Sequence, residues 1–218
     1  MDVDRFMNGQ REVMIRWDGI VLPGRLAVPE GAKGMVLFAH GSGSSRLSRR
    51  NNYVAAVLHE AGMATLLFDL LTETEAANRR NVFDIPLLAS RLMLATYWVR
   101  ELSGLPSLPI GYFGASTGAA AALRAAVESP IPVEAIVSRG GRPDLASEVL
   151  DRVTAPTLLI VGGADYGVIE LNEAAFRALR CEKELAIVPG ATHLFEEPGA
   201  LEEVARLARA WFVRYLAK

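Results

Sequence analysis

Short apolar runs recur along the chain, and amphipathic helical patterns lie between several of them. Each run is too short for a helix and lacks polar alternation, which is typical of parallel strands buried on both faces. Strands that alternate with helices predict an α/β fold, with a largely parallel sheet and helices on both faces. The predicted buried strands are residues 35–39, 64–68, 110–113, 133–137, 157–161 and 185–188.

Two further strand-like runs, 12–17 and 20–28, precede this alternation and are separated by Asp-Gly, a strong hairpin signal. We therefore expect eight strands, beginning with an antiparallel hairpin. Three apolar stripes with helical spacing predict one helix capped by Asp84, one that ends at Gly62, and one at the C-terminus. The polar stretch 69–84 is predicted to be a surface loop over the edge where the strands end.

Length and composition fit a single domain over residues 1–218, which is long enough to bury a substantial core. The formal net charge of −2 gives no electrostatic reason to bind nucleic acid or an anionic membrane. No apolar run approaches the roughly 18–20 residues of a membrane span, and the N-terminus lacks a secretory pattern. Because Cys181 is the only cysteine, no internal disulfide can form, and we expect a cytoplasmic protein.

Residues 114–118 read Gly-Ala-Ser-Thr-Gly, a G-x-S-x-G pattern between a predicted strand and an alanine-rich run. This strand–turn–helix setting is typical of a nucleophile elbow, in which a sharp turn lifts the serine oxygen out of the sheet. Gly114 and Gly118 leave the space that such a turn needs. The alternative is a glycine-rich turn with an idle serine. We interpret Ser116 as the nucleophile.

A serine hydroxyl is a poor nucleophile unless a base takes its proton. Among the three histidines, His193 follows the last predicted strand, at the sheet edge where the elbow also lies. Asp165 follows the seventh strand and is our candidate for the acid that orients the histidine, although it could simply cap the next helix. Asp144, after the sixth strand, is the second candidate for the acid. His40 precedes a glycine-serine loop and is interpreted as a structural turn residue.

An acyl-transfer site also needs donors for the oxyanion. The backbone N–H of Thr117, directly after the nucleophile, is one candidate. The second should come from the loop after the third strand, where we choose Ser42, with Gly43 as the next choice. This loop could alternatively cradle a phosphate, but it lacks the lysine-containing P-loop pattern. No pair of histidines has metal-ligand spacing and no cysteine cluster exists, so we expect no metal.

Arg139 and Arg142 lie at the end of the sixth predicted strand and could bind a substrate carboxylate. The alternative is that they pair with a nearby acid such as Asp144 or lie in water. The connection 139–155 has room for a crossover helix, near 143–152, but none for a lid. We therefore expect an open, shallow site with little apolar wall and a preference for short acyl groups.

Four sequence pieces, in this order, resemble those of the α/β-hydrolases, and in their compact form those of the dienelactone hydrolase family. They are His-Gly-Ser-Gly at 40–43, the elbow at 114–118, Gly-Ala-Asp at 163–165 and Ala-Thr-His at 191–193. The resemblance implies an eight-stranded, mostly parallel sheet and hydrolysis of esters or lactones without a cofactor. Dienelactone hydrolases proper carry cysteine at the elbow, so Ser116 points instead to a serine carboxylesterase.

The leading hypothesis is thus a serine hydrolase that cleaves small ester or lactone substrates through an acyl-enzyme, with the triad Ser116, Asp165 and His193. The order serine, acid, histidine along the chain is that of the α/β-hydrolases. An amide or peptide hydrolase would use the same triad. A third hypothesis is a hydrolase fold that only binds its ligand or partner, because fold alone does not define function.

Overall fold

The computed structural model describes residues 9–102 and 107–217. Within these ranges, eight strands form one sheet in the order β1-β2-β4-β3-β5-β6-β7-β8. The strands are β1 (Gln10–Trp17), β2 (Ile20–Ala27), β3 (Gly34–Ala39), β4 (Met63–Phe68), β5 (Ile110–Ala115), β6 (Ala135–Arg139), β7 (Thr157–Gly162) and β8 (Lys183–Val188). β2 pairs antiparallel with both β1 and β4, and the other pairs are parallel. The predicted hairpin and mostly parallel sheet are confirmed.

Within the described ranges, five α-helices lie between strands and a sixth follows β8. They are α1 (Arg49–Glu60), α2 (Glu73–Ala76), α3 (Ile85–Glu101), α4 (Thr117–Glu128), α5 (Tyr166–Ala178) and α6 (Ala200–Leu216), with 3₁₀ segments at Asn81–Phe83 and Pro143–Arg152. The Asp84 side chain accepts a hydrogen bond from the Leu87 N–H at 3.0 Å and so caps α3 as predicted. Gly62, with φ of 80°, follows α1 where the sequence predicts the helix to end. None of the helices described is long and apolar enough to cross a membrane.

The core consists of two layers, one on each face of the sheet. α1 and α6 cover one face, while α3, α4, α5 and the segment Pro143–Arg152 cover the other. Successive strand residues point to opposite faces, so Leu37 packs into the second layer and Phe38 into the first. Both layers bury side chains almost completely, which gives the strand ends a rigid frame.

Three segments differ from the expectation. β8 is the edge strand of the sheet that the structure describes, and only Val188 in it is buried. The stretch 69–84 contains α2 and a 3₁₀ turn, so it is more ordered than a plain loop. The crossover at Pro143–Arg152 is a 3₁₀ segment with a break at Ala146 (φ −129°), and it packs against both α4 and α5.

Candidate active site

Ser116 lies between β5 and α4 with φ of 51° and ψ of −120°. A positive φ is rare for a residue with a side chain and stores strain that the surroundings must hold. Three backbone hydrogen bonds do so: the Ser116 N–H donates to the Arg139 carbonyl at 3.2 Å, and the Ser116 carbonyl accepts from the N–H groups of Ala119 and Arg142, both at 3.1 Å. The hydroxyl makes no capping bond to α4, so the side chain is not used to build the turn.

Glycines around the elbow leave no room for side chains. A Cβ atom on Gly118 would lie 2.1 Å from the Ala39 carbonyl oxygen. One on Gly114 would lie 2.4 Å from the backbone of α4, and one on Gly41 would lie 3.0 Å from the Cβ of Ser116. The glycines of the G-x-S-x-G pattern therefore allow β3, β5 and α4 to meet at backbone distance, as that interpretation of the motif requires.

His193 and Asp165 are joined by a hydrogen bond of 2.7 Å between Nδ1 and a carboxylate oxygen. Because an ionised carboxylate can only accept, Nδ1 carries the proton and Nε2 is left as the acceptor. Asp165 occupies the N-cap position of α5, but its side chain makes no capping bond there. The carboxylate is 16% exposed and the imidazole 38%, so the pair is sheltered but reachable from solvent. The structure thus brings these two predicted residues together.

The loop after β6 lies between the serine and histidine segments. Its Arg142 N–H donates to the Ser116 carbonyl, and Gly140, with φ of 51°, packs against the histidine. A Cβ on Gly140 would lie 3.3 Å from the His193 carbonyl oxygen and 3.5 Å from the ring carbon Cε1. This one loop therefore contacts both segments, and it fixes the elbow and the histidine to the same edge of the sheet.

Asp144, the second candidate for the acid, faces an arginine. Its two carboxylate oxygens accept hydrogen bonds from Nε and Nη2 of Arg142 at 2.8 and 2.7 Å. These bonds raise the pKa of Arg142. This is the alternative partner that the sequence offered for Arg142. In the structure it is Asp165, and not Asp144, that is bonded to His193.

Arg139 is only 7% exposed, although it was predicted to meet a substrate. Its Nη2 donates to the Asn51 side chain at 3.2 Å, and its guanidinium lies 5.9 Å from the ring centroid of Phe195. Burial and the nearby Arg50 lower the pKa of Arg139 to about 10. No acidic group pairs with it within residues 9–102 and 107–217. Substrate contact by Arg139 or Arg142 stays a prediction.

The candidate oxyanion donors lie on two adjoining segments. Thr117 is the first residue of α4, where N–H groups lack partners inside the helix. Ser42 lies on the loop after β3 and borders the same cavity as Thr117. His40 holds this loop in place, because its Nδ1 donates to the Gly41 carbonyl at 2.9 Å and its Nε2 accepts from the Leu70 N–H at 3.0 Å. Burial lowers the pKa of His40, which favours the neutral ring that these two bonds require.

A cavity of about 580 Å³ opens beside the candidate oxyanion donors. The sequence predicted a shallow site with little apolar wall, whereas apolar side chains from β2 and from the chain after β4 line this cavity. The segment after β6, where the sequence analysis looked for a lid, does not border it. The apolar lining consists of Val21, Pro23, Leu70, Leu71, Ala76, Val82 and Leu88.

Polar side chains anchor this wall to the rest of the molecule. Asp69 accepts hydrogen bonds from the Arg46 N–H at 2.7 Å and from the Arg46 guanidinium at 2.6 Å. Thr72 and Glu75 form a capping box at the start of α2, and Arg91 of α3 binds the Glu75 carboxylate. Burial by itself would raise the pKa of Glu75, but the hydrogen bonds from Arg91 and Thr72 outweigh it and lower that pKa.

The eight-stranded sheet, the elbow after β5 and the residues that follow β7 and β8 define an α/β-hydrolase. No family model matches the sequence. The crystal structure of dienelactone hydrolase from Anabaena variabilis has a TM-score of 0.92 and 56% sequence identity, over 95% of this chain and 98% of that one. The chain belongs to the dienelactone hydrolase family of the α/β-hydrolases.

More distant structures share the fold. Est1E from Butyrivibrio proteoclasticus has a TM-score of 0.80 at 18% identity, over 95% of this chain and 99% of that one. Among curated proteins, one from Mycobacterium tuberculosis with the provisional name phosphoribosyl transferase is 59% identical over 205 residues. The match covers 94% of this chain but 46% of that protein, so the chain spans about half the length of this relative.

Proposed function

We propose that this chain is a serine hydrolase that cleaves carboxylic esters or lactones through an acyl-enzyme. The observation that carries the proposal is the 2.7 Å bond between His193 and Asp165 at the sheet edge that also holds the strained Ser116. The loop after β6 contacts both segments, which supports joint action of the three residues. The name of the Anabaena variabilis relative, a dienelactone hydrolase, agrees with this class of substrate.

In the proposed first half-reaction, His193 Nε2 takes the hydroxyl proton of Ser116 while Oγ forms a bond to the substrate carbonyl carbon. The carbonyl π electrons move onto the oxygen, and the N–H groups of Thr117 and Ser42 stabilise the resulting oxyanion. Asp165 stabilises the imidazolium. When the carbonyl forms again, the bond to the leaving oxygen breaks, and His193 gives its proton to that oxygen.

Water completes the cycle. His193 takes a proton from the water as its oxygen attacks the acyl carbon, and the second tetrahedral species uses the same two N–H donors. Its collapse breaks the bond to Ser116 Oγ, which recovers the proton from His193, and the free acid leaves. Every proton and electron pair is accounted for by the substrate, water and these side chains, so the proposed mechanism needs no cofactor.

The provisional name of the Mycobacterium tuberculosis relative does not lead to a second proposal. This chain matches less than half of that protein, whereas it matches the dienelactone hydrolase along nearly the full length of both chains. We therefore infer that the matched half of the relative is its hydrolase part. Phosphoribosyl transfer is assigned in this proposal to the half of that protein that this chain does not cover.

Active-site labelling tests the proposal directly. A fluorophosphonate should add once, at Ser116, and Ser116→Ala should lower kcat for a p-nitrophenyl ester roughly 10³-fold or more while the fold is retained. The matched control is Cys181→Ser, because Cys181 lies between α5 and β8, away from the site. Burial raises the pKa of this half-buried thiol, which disfavours the reactive thiolate. The control should keep its activity.

Two outcomes would contradict the proposal. An unlabelled Ser116 together with a fully active Ser116→Ala variant would remove the nucleophile, and an inactive, unlabelled wild-type protein would favour a hydrolase fold that only binds. A matched panel of p-nitrophenyl esters, small lactones and p-nitroanilides distinguishes an esterase from an amidase. The proposal expects the anilides to be cleaved far more slowly than the esters.

A further inference from the structure

The cavity lies on one side of β5. Its lining comes from β2, from the loop after β3, from the chain after β4 and from the start of α3, together with Thr117 directly after the nucleophile. In the sheet, β2, β4 and β3 all stand on the same side of β5. The loops after β6, β7 and β8 stand on the other side, and none of their described residues lines the cavity.

The position of the cavity relative to His193 indicates which part of an ester would occupy it. In the proposed mechanism the leaving oxygen must take a proton from His193, which follows β8, so the alcohol part has to extend toward β7 and β8. The carbonyl oxygen is directed at the N–H groups of Thr117 and Ser42. With the alcohol part on the β7–β8 side, the acyl group has the cavity on the other side of β5 available to it, because that cavity borders Thr117 and Ser42.

The cavity is suited to an apolar acyl group. Its volume of about 580 Å³ falls in the usual range for small-molecule pockets, and an acetyl group would leave most of it empty. Val21, Leu71 and Leu88 contribute to its apolar wall. The charged pair at its edge, Arg46 and Asp69, is internally neutralised by the bonds between the two side chains.

An acidic acyl group is disfavoured by the remaining charge at the cavity. Glu73 lines it, is exposed, and forms no ion pair with the residues that the structure describes. Its carboxylate would repel a carboxylate on the acyl group. We therefore propose that this cavity is the acyl-binding subsite and that the enzyme acts on esters of bulky, uncharged, apolar acids, with a medium-length alkyl chain or an aromatic ring. The inference rests on the proposed hydrolase function and replaces the preference for short acyl groups.

Two isomeric esters test which part of the substrate enters the cavity. Methyl octanoate carries its long chain on the acyl side, and heptyl acetate carries it on the alcohol side. Because each buried methylene contributes to binding, kcat/KM for methyl octanoate should exceed that for heptyl acetate by about 10-fold or more. Equal values, or a preference for heptyl acetate, would overturn the assignment of the cavity to the acyl group.

A substitution that fills the cavity adds a second test. Ala76 is exposed and lines the cavity, so Ala76→Trp can place an indole in that space with little effect on the core. It should lower kcat/KM for methyl octanoate about 10-fold and leave methyl acetate within about twofold, since an acetyl group needs little of the cavity. Ala77→Trp is the matched control, because Ala77 is also exposed but does not line the cavity.

The results separate this inference from the function on which it rests. If Ser116 is labelled and methyl acetate is cleaved, but Ala76→Trp changes both esters alike or neither of them, only the acyl subsite is wrong. If neither ester is cleaved and Ser116 is not labelled, the hydrolase proposal is wrong, and the subsite is overturned with it. Selective loss of methyl octanoate cleavage in Ala76→Trp, with an unchanged Ala77→Trp control, supports both.

Discussion

The two sides of the site are built in different ways. On the β5–β8 side, Ser116, Asp165 and His193 follow the ends of parallel strands, and backbone hydrogen bonds, glycine contacts and the bond between Asp165 and His193 hold them in place. On the β2–β4 side, the cavity wall combines residues of β2 and α3 with a short helix and loops that are fixed by side-chain bonds, such as those between Arg46 and Asp69. The difference teaches that the candidate chemistry depends on the strand ends, the rigid side of the site, while the candidate specificity depends on side chains brought together from β2, α3 and the segment after β4.

The largest expected effect follows from removing the charge of the acid on the rigid side. Asp165→Asn should lower kcat roughly 10³- to 10⁴-fold, because an amide can stabilise neither the required tautomer of His193 nor the imidazolium. Asp144→Asn should change kcat only a few-fold, since Asp144 is bonded to Arg142 and not to the histidine. Steady-state kinetics of both variants measure the contrast, and a large loss in Asp144→Asn alone would move the acid to the sixth strand.

The second prediction tests whether the close backbone contacts at Gly118 are required for stability on the rigid side. Gly118→Ala should destabilise the protein by about 3 kcal/mol or prevent its folding, because the new Cβ would overlap the Ala39 carbonyl oxygen, a backbone atom that cannot turn away. Gly167→Ala is the control, since a Cβ on this α5 residue meets nothing within 4 Å. It should be neutral or stabilising by up to about 1 kcal/mol. Urea unfolding measures both, and equal stability of the two variants would contradict the steric argument.

The smallest expected effect is a pH dependence of stability that arises from His40, at the start of the loop after β3. Since burial lowers the pKa of His40 in the folded state, the unfolded chain takes up the proton first as pH falls below the ordinary histidine value of about 6.5. The contribution of His40 to stability is therefore complete above that pH and is lost as pH falls toward the lower folded pKa. His40→Gln should be less stable than wild type at pH 7.5, but its urea midpoint should fall less between pH 7.5 and 5.5. An equal fall of the urea midpoint between pH 7.5 and 5.5 in the two proteins would contradict this prediction.

The rigid side could be predicted from the sequence because each of its signals is local. Short apolar runs predicted the strands of a mostly parallel sheet, and the elbow pattern placed Ser116 between a strand and a helix, where the structure has it. Asp165 and His193 were predicted as partners from their positions after two strands, and the structure joins them. Their catalytic roles remain the subject of the experiments proposed above.

The cavity could not be predicted in the same way, because its wall brings together residues that are far apart in the sequence. Val21 and Leu88 line the same cavity only because β2 and α3 are packed into one fold. The stretch 69–84 has mostly polar residues and resembles a solvated loop, yet its Leu70 and Leu71 turn inward while Asp69 and Glu75 are bonded to arginines. The hydrophobic periodicity of a sequence predicts local helices and strands, and it does not predict side-chain contacts between residues that are far apart in the chain.

The elbow also bears on how such proteins diverge. The turn at residue 116 is set by its own backbone hydrogen bonds and by the absence of side chains at 114 and 118, while the serine hydroxyl makes no capping bond. The atom that would react is thus not part of the scaffold that presents it. Replacing the hydroxyl oxygen by sulfur at this position would therefore leave the turn intact. A protein lineage can then change between a serine and a cysteine nucleophile without rebuilding the fold, so that both chemistries can share one ancestor.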